Sequence, residues 1–418
     1  MLTLASMTFK SENISYDLVV IGGGAAGFFG AIVTAEMNSN LSILILEKTT
    51  KLLSKVKVSG GGRCNVTHHC FEPTPLSKHY PRGSKELKSL FRKFQAKDIV
   101  DWFEAKKVKL KTEEDGRIFP VTNNSQTIID CFLDETEKHN IKIKLHSEVK
   151  KITPNGNGFT LELNTEEISA RKVLIATGGY NNFQSYQWLK PFPIINPIPS
   201  LFTFNDSDKK FKDLMGVAVT QAEVKIAGSK LSETGPLLIT HWGLSGPAVI
   251  KLSAWAAEYL HERKYEFTAL VNWTGTVGEE DLRKDLQELN AFHGKQKIFN
   301  NPLYKIPSRL WVRLCSLAEI DENRTWAELQ RKNLNRLVEF MIRCPFEIKG
   351  KTTFKEEFVT CGGIDLKSVD LETMESKLIK GIYFAGEVLN IDGETGGFNF
   401  QSAWTTAYVA AKSISESF

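Results

Sequence analysis

Cysteine is scarce in this chain, and no two cysteines stand at C-x-x-C spacing: Cys64, Cys70, Cys131, Cys315, Cys344 and Cys361 are scattered over 418 residues. That excludes a zinc ribbon and a dithiol redox centre of the thioredoxin-reductase kind, and it fits a reducing compartment. Long apolar runs are missing too, since none approaches the ~18 residues of a membrane-spanning helix. The first fifteen residues hold Lys10 and Glu12 but neither a continuous apolar segment nor a small-residue cleavage site, so they do not read as a secretory signal. The expected location is the cytoplasm, with no membrane partner. Nor is there an excess of one charge. With 53 basic and 49 acidic residues the formal charge is +4, so no overall field argues for a nucleic-acid partner. The basic run Lys51 to Lys57 reads as a solvated face or a phosphate contact. His68-His69-Cys70 has no partner cluster, and adjacent residues seldom converge on one ion, so no metal is expected.

What the chain does contain is Tyr16-Asp-Leu-Val-Val-Ile-Gly-Gly-Gly-Ala-Ala-Gly27, an apolar β-branched run leading through G-x-G-x-x-G into an Ala-rich helical pattern. This reads as strand, phosphate loop and helix. Gly22 turns the chain out of the strand, Gly24 leaves room for a pyrophosphate, and Gly27 lets helix and strand pack closely. The open amides and positive dipole end of a helix spanning Ala25 to Met37 then face the phosphates. A second strand, Leu41 to Leu46, delivers Glu47 roughly 20 residues on, where an acidic side chain grips an adenosine ribose.

At this length two or three domains are expected. Short strands at Ile141 to Leu145, Gly158 to Leu163 and Lys172 to Ala176 follow, the last running into Thr177-Gly178-Gly179. Another, Gly381 to Ala385, runs into Gly386-Glu387. Glycine-ended strands at both places suggest one parallel sheet built from both ends of the chain. From Pro193 to Asn272 the pattern alternates and is interrupted by Pro and Gly, as in Phe211 to Val219 and Tyr265 to Val271, which favours an antiparallel, barrel-like domain. From Glu279 to Met341 it becomes charged and helical, with Trp311 and Trp326 read as core. The fold class is therefore α/β: a discontinuous Rossmann-like domain (1–192 and 359–418) interrupted by a barrel-like domain (193–278 and 342–358) that carries a helical insertion (279–341).

Two further segments carry candidate chemistry. Lys55-Val-Lys-Val-Ser-Gly-Gly-Gly-Arg-Cys-Asn65 combines a backbone able to approach a planar ligand with a permanent cation and an amide side chain. A flavin needs such groups, because reduction places negative charge at its N1–C2=O edge. An ordinary Gly-rich surface loop is the alternative. Near the C-terminus, Gly396 and Gly397 precede a helical stretch, Ser402 to Ser413, whose amides would face a pyrimidine oxygen. Glu387 is placed to accept from a ribityl hydroxyl, while Phe398 and Phe400 read equally well as core. Thr240-His-Trp-Gly-Leu-Ser-Gly-Pro247 is the expected substrate-contact segment, with His241 as a site residue or as a satisfied structural histidine.

These segments also carry a resemblance. YDLVVIGGGAAG, VSGGGRCNVT, DGRIFPVTNNSQTIID, THWGLSGPAVIKLS, FVTCGGIDLKSVD and GIYFAGEVLNIDGETGGFNFQSAW are similar, in order and spacing, to the BaiN-like (YhiN-like) family of FAD-dependent oxidoreductases. The resemblance implies a glutathione-reductase-like FAD domain interrupted by a barrel-like domain, with FAD bound non-covalently. It implies that Gly22, Gly24, Ala25, Ala26 and Gly27 hold the pyrophosphate, Glu47 the ribose and Val149 the adenine through its backbone, with Lys48 a further cofactor contact. Lys55, Ser59, Gly60, Gly61, Arg63, Cys64 and Asn65 would line the flavin, Gly386, Glu387, Asp392, Gly396, Gly397, Phe398 and Asn399 would close its other side, and Thr177 and Gly178 are further expected cofactor contacts. Arg63 and Asn65 are the expected electrostatic residues. After Thr177-Gly-Gly179 the chain departs from the family's longer Gly-rich loop and reads Tyr180-Asn-Asn-Phe-Gln-Ser-Tyr-Gln-Trp188, so specificity does not transfer. The expected reaction is hydride transfer through flavin N5, by NAD(P)H-dependent reduction of an unsaturated or carbonyl small molecule. An oxidase of a small amine or ketone that produces peroxide is the alternative, and an FAD-holding RNA-binding or assembly protein without turnover is a third. One dinucleotide fingerprint means that any nicotinamide visits transiently. The oligomeric state is not legible.

Overall fold

The computed structural model describes residues 15–156, 158–352 and 359–418. The segment read as lacking a secretory signal lies, up to residue 14, outside that range, as do residues 353–358 of the second barrel segment. The chain divides into two units, residues 1–197 with 360–418, and residues 198–359.

In the first unit the strand Ser15–Ile21 is central to a seven-stranded sheet. It runs parallel to Ile43–Leu46 on one side and Glu167–Ile175 on the other, with Val19 beside Leu44 and Val173. Leu18 to Ile21 are all buried, as a parallel strand covered on both faces requires, which is why the sequence shows an unbroken apolar run there. Lys142–Lys144 adds a parallel strand beyond Ile43–Leu46. Ile382–Phe384 pairs in parallel with the end of Glu167–Ile175, Tyr383 opposite Leu174. Lys151–Asn155 and Gly158–Glu162 pair antiparallel and meet the beginning of Glu167–Ile175. The glycine turns after residues 21, 175 and 384 therefore leave one carboxyl edge of the sheet, where open α/β sheets bind ligands.

The helix Ala25–Met37 packs on the C-terminal helix Phe398–Glu416. Phe29 stands edge-on to Trp404 at 5.5 Å and to Trp102 at 5.2 Å, aromatic contacts that add to the burial itself. Close approach of helix to sheet is built in at Gly30, where a Cβ would lie 2.7 Å from Leu174 Cδ2. The C-terminal helix begins at Phe398 rather than at Ser402. Gly397 supplies a left-handed cap (φ +94°), so the helix starts directly after it.

The second unit is a closed barrel in the order Thr203–Asp206, Gly243–Ser245, Ser232–Ile239, Ala218–Ile226, Glu266–Asn272 and Cys344–Thr352. Phe204 opposite Lys351 closes it. Alternation puts Val219, Ala222, Val224 and Ile226 inside. The pattern of Phe211 to Val219 predicts a strand, but the chain there makes a 3-10 turn, Lys212–Leu214, and the strand starts only at Ala218. Its apolar period comes instead from Phe211 and Leu214 plugging the barrel core, with Phe211 stacked on Phe346 at 4.9 Å. The helices Glu279–His293, Ser308–Leu317 and Arg331–Ile342 belong to this unit, with Trp311 and Trp326 fully buried among its apolar side chains.

Candidate functional site

Three segments distant in sequence meet at the carboxyl edge of the sheet in the first unit. The glycine loop comes first. Gly22 has φ +117°, and a Cβ there would lie 2.4 Å from the Ala176 carbonyl oxygen. Gly27 is tighter, its added Cβ falling 2.0 Å from the Gly22 oxygen. Gly24 is different: it is extended (φ −97°), and a Cβ would meet nothing within 4 Å. No side chain caps the helix that follows. The amides of Ala25, Ala26 and Gly27 therefore open into that space with the positive end of the dipole. Glu47 stands beside the loop, Oε2 accepting from Gly23 N at 2.9 Å and Oε1 from Thr49 N and Oγ1 at 2.8 Å each. Exposed Lys48 lies 5.2 Å from the Tyr180 ring centroid. Val149 is buried, two residues after Ser147, whose amide bonds the Glu47 carbonyl at 2.9 Å. Beyond Thr177, Gly178 (φ +73°) is again a glycine whose Cβ would meet nothing within 4 Å.

The second segment leaves a short helix at Ser59. Gly60, Gly61 and Gly62 are all left-handed, and so is Cys64, whose amide returns to the Ser59 oxygen at 3.0 Å. This turn projects Arg63 and Asn65. Arg63 lies over the Phe119 ring at 4.0 Å and pairs with Glu113 at 2.6 Å. Asn65 is only 7% exposed, and its Oδ1 is buried without a hydrogen-bond partner. Burial pushes the Cys64 thiol up to about 12, so it stays protonated across the working range and offers no thiolate. Cys64→Ala is accordingly expected to keep its turnover, with no thiol limb in the pH–rate profile; loss of turnover with flavin retained would reinstate a thiol step.

The third segment closes on both. Gly386 packs on the loop helix, where an added Cβ would be 2.8 Å from Ala26 Cβ. Glu387 accepts from Lys55 Nζ at 2.5 Å and from Thr360 N at 2.9 Å. Asp392 is fully buried, and Arg82 binds both of its oxygens. Gly396 has φ +129°. At Gly397 a Cβ would come within 2.9 Å of Asn65 Oδ1 and 2.7 Å of the Thr67 carbonyl, so only glycine lets the start of the C-terminal helix sit against Asn65. Asn399 is locked to the Gly393 backbone by two 2.9 Å bonds. Phe398 is buried and stacked by His79 at 4.2 Å and by His68 at 4.8 Å.

The site thus has two helix N-termini, one beside open space at Gly24 and one beside an unsatisfied buried amide oxygen. That set suits an elongated ligand with a diphosphate at one end and a polar heteroaromatic edge at the other. FAD has both, and the residues present fit it.

Sequence reasoning did not find Arg82, Glu113 or Thr360, which partner Asp392, Arg63 and Glu387; none carries a local motif. His241 belongs to the second unit. It is exposed in the turn between Ser232–Ile239 and Gly243–Ser245, its ring 3.9 Å from that of Trp242. Among the described residues, Glu36, Glu135 and His139 bring three ligand atoms together. Lys106 already bonds both carboxylates there, 2.9 Å from Glu135, so an ammonium holds the cation's place.

Comparison with known proteins adds the following. The family model described as HI0933-like protein Rossmann domain matches residues 16–413. A "Ribosomal RNA dihydrouridine synthase" of Haemophilus influenzae is 30% identical, covering 98% of this chain and 100% of the relative. A "3-dehydro-bile acid delta(4,6)-reductase" of Clostridium scindens is 25% identical over 95% and 98%. Among solved structures, a 3-ketosteroid delta1-dehydrogenase from Sterolibacterium denitrificans shares the fold, with a TM-score of 0.51 at 13% identity over 97% of this chain and 100% of that one.

Proposed function

Since the chain belongs to the HI0933-like Rossmann family, we propose that it is an FAD-dependent oxidoreductase that saturates the C5=C6 bond of a uridine in ribosomal RNA. The observation that carries the cofactor reading is the open space at Gly24 before three uncapped amides, paired with the unsatisfied Asn65 Oδ1 at the second helix N-terminus. The substrate reading is supported by the relatives. Both names denote saturation of carbon–carbon double bonds: C5=C6 of uridine in dihydrouridine, and the ring double bonds that a delta(4,6)-reductase acts on. The RNA-modifying relative matches at 30%, the bile-acid reductase at 25%. This reading departs from the sequence-based preference for a small molecule and no nucleic acid.

When bound, FAD supplies the hydride at flavin N5. The chain's own part is placement. The amides of Ala25, Ala26 and Gly27 hold the pyrophosphate, and Glu47, fixed by Gly23 and Thr49, takes a ribose hydroxyl. Asn65 and the amides of Phe398, Asn399 and Phe400 hold the polar edge of the ring. Arg63, preset by Glu113 and Phe119, contributes a fixed positive charge. A reduced nicotinamide visiting transiently is the proposed donor.

The test is incubation of the purified protein with NADH or NADPH and unmodified ribosomal RNA transcripts, followed by nucleoside mass spectrometry. Donor-dependent dihydrouridine is expected. None with either donor, or with chemically reduced flavin, while a 3-oxo-4,6-diene steroid is reduced, would sink the RNA reading. Arg63→Ala is expected to retain most of its FAD and to lose on the order of 2–4 kcal/mol of transition-state stabilisation, roughly 30- to 1,000-fold in kcat. Unchanged kcat would remove Arg63 from the reaction.

A further inference from the structure

In the second unit, the loop after Thr203–Asp206 reads Asp206-Ser-Asp-Lys-Lys-Phe-Lys-Asp213. Phe211 is buried against Phe346, which pins the loop's centre and leaves Lys209, Lys210 and Lys212 exposed around it. Arg309 and Arg313, one turn apart on Ser308–Leu317, hold the loop from one side. Arg313 donates to the Lys210 carbonyl at 2.7 Å and pairs with Asp213 at 2.5 Å, and Arg309 donates to the Asp213 carbonyl. On the other side Lys209 and Lys212 line a shallow recess with Thr240, His241 and Trp242. Of the three carboxylates, Asp206 is buried, Asp208 is taken by Lys210 at 2.8 Å and Asp213 by Arg313. Lys209, Lys212 and Arg309 make no ion pair among the described residues. Met215, 57% exposed, adds an apolar edge.

We propose that this face of the barrel unit is an RNA-contact surface, on which Lys209, Lys210, Lys212 and Arg309 take backbone phosphates and His241 stacks on an unpaired base. The inference rests on the reading that the substrate is ribosomal RNA, and names how the chain would hold it. A near-neutral chain that binds a polyanion must concentrate its cations locally, and this loop does so on a rigid support. Cations interleaved with an exposed ring suit single-stranded RNA better than duplex. A uridine whose C5=C6 bond is to be reduced has to leave its stack, which demands an unpaired neighbourhood.

The experiment measures binding of the FAD-loaded full chain to a ribosomal RNA transcript across a salt series, with poly-anionic heparin as competitor. In Lys209→Gln/Lys210→Gln/Lys212→Gln, the slope of log K against log salt is expected to fall in magnitude by about two, at roughly 0.7 per lost contact on a single strand. FAD content and the rate of flavin reduction by nicotinamide should not change. His241→Ala should weaken binding several-fold with the slope intact, the mark of stacking rather than charge. Unaltered slope and affinity in the triple variant, with wild-type binding intact, would overturn the surface and spare the RNA reading. Wild-type protein that prefers heparin to the transcript at every salt would overturn the RNA reading, and this inference with it.

Discussion

A Gly24→Val protein is expected to fold and to emerge colourless. Its backbone at residue 24 is extended, a conformation open to any L-residue, and a side chain there meets nothing within 4 Å of the protein itself. The cost to the fold is a changed helix cap, about 1 kcal/mol. The cost to the ligand is far larger, because the isopropyl group stands where a pyrophosphate must approach the amides of Ala25 to Gly27. Losing two charge-assisted hydrogen bonds, at roughly 1.5–3 kcal/mol each, corresponds to about 10²–10⁴ in Kd. Gly27→Val should behave oppositely and fail to fold, since its Cβ would fall 2.0 Å from the Gly22 oxygen. Flavin absorbance per chain, measured beside the thermal melt of the apoprotein, separates the two. A folded, fully yellow Gly24→Val protein would move the pyrophosphate away from this loop.

Removing the guanidinium from Asp392 should give a large loss of stability without abolishing the fold. The carboxylate is 0% exposed, and Arg82 binds both its oxygens. Arg82→Met strands a buried charge, which costs about 3–5 kcal/mol. Protonation removes the charge that Arg82 balances, so the variant's deficit should shrink as pH falls through the carboxylate range and be full at neutral pH. Adding Asp392→Asn to Arg82→Met should recover most of the loss, because the uncompensated charge is gone. Urea denaturation of the single and double variants at two pH values checks this. Equal stability of wild type and Arg82→Met at neutral pH would show that the pair is not what holds residues 386–399 in place.

The glycine loop was legible because its determinants are neighbours in the chain. A strand buried on both faces needs an unbroken apolar run, a turn at φ +117° needs Gly22, and a helix crossing the strand at contact needs Gly27. Each requirement falls within a few residues of the next. The helix from Ala25 to Met37 and the barrel's alternating strands were readable for the same reason, as local period. Where a period could arise from a plug instead of a strand, as at Phe211 and Leu214, the pattern alone misled.

Charge partnership is where tertiary structure decided the outcome. By itself the sequence offered Glu387, Asp392, Arg63 and Lys55 as groups awaiting a ligand. The fold couples Glu387 to Lys55 and Thr360, Asp392 to Arg82 and Arg63 to Glu113, and leaves Asn65 Oδ1 a buried acceptor without a partner. No spacing rule encodes those choices. Dihedral preference and hydrophobic period are properties of a residue and its near neighbours, whereas the partner of a charge depends on which distant segments the packed core brings within a few ångströms. Gly397 shows both at once: a glycine ahead of a helix could be read from the chain, but its place as the cap at Phe398 and its need to pass Asn65 and Thr67 without a side chain arise only when distant segments of the first unit meet.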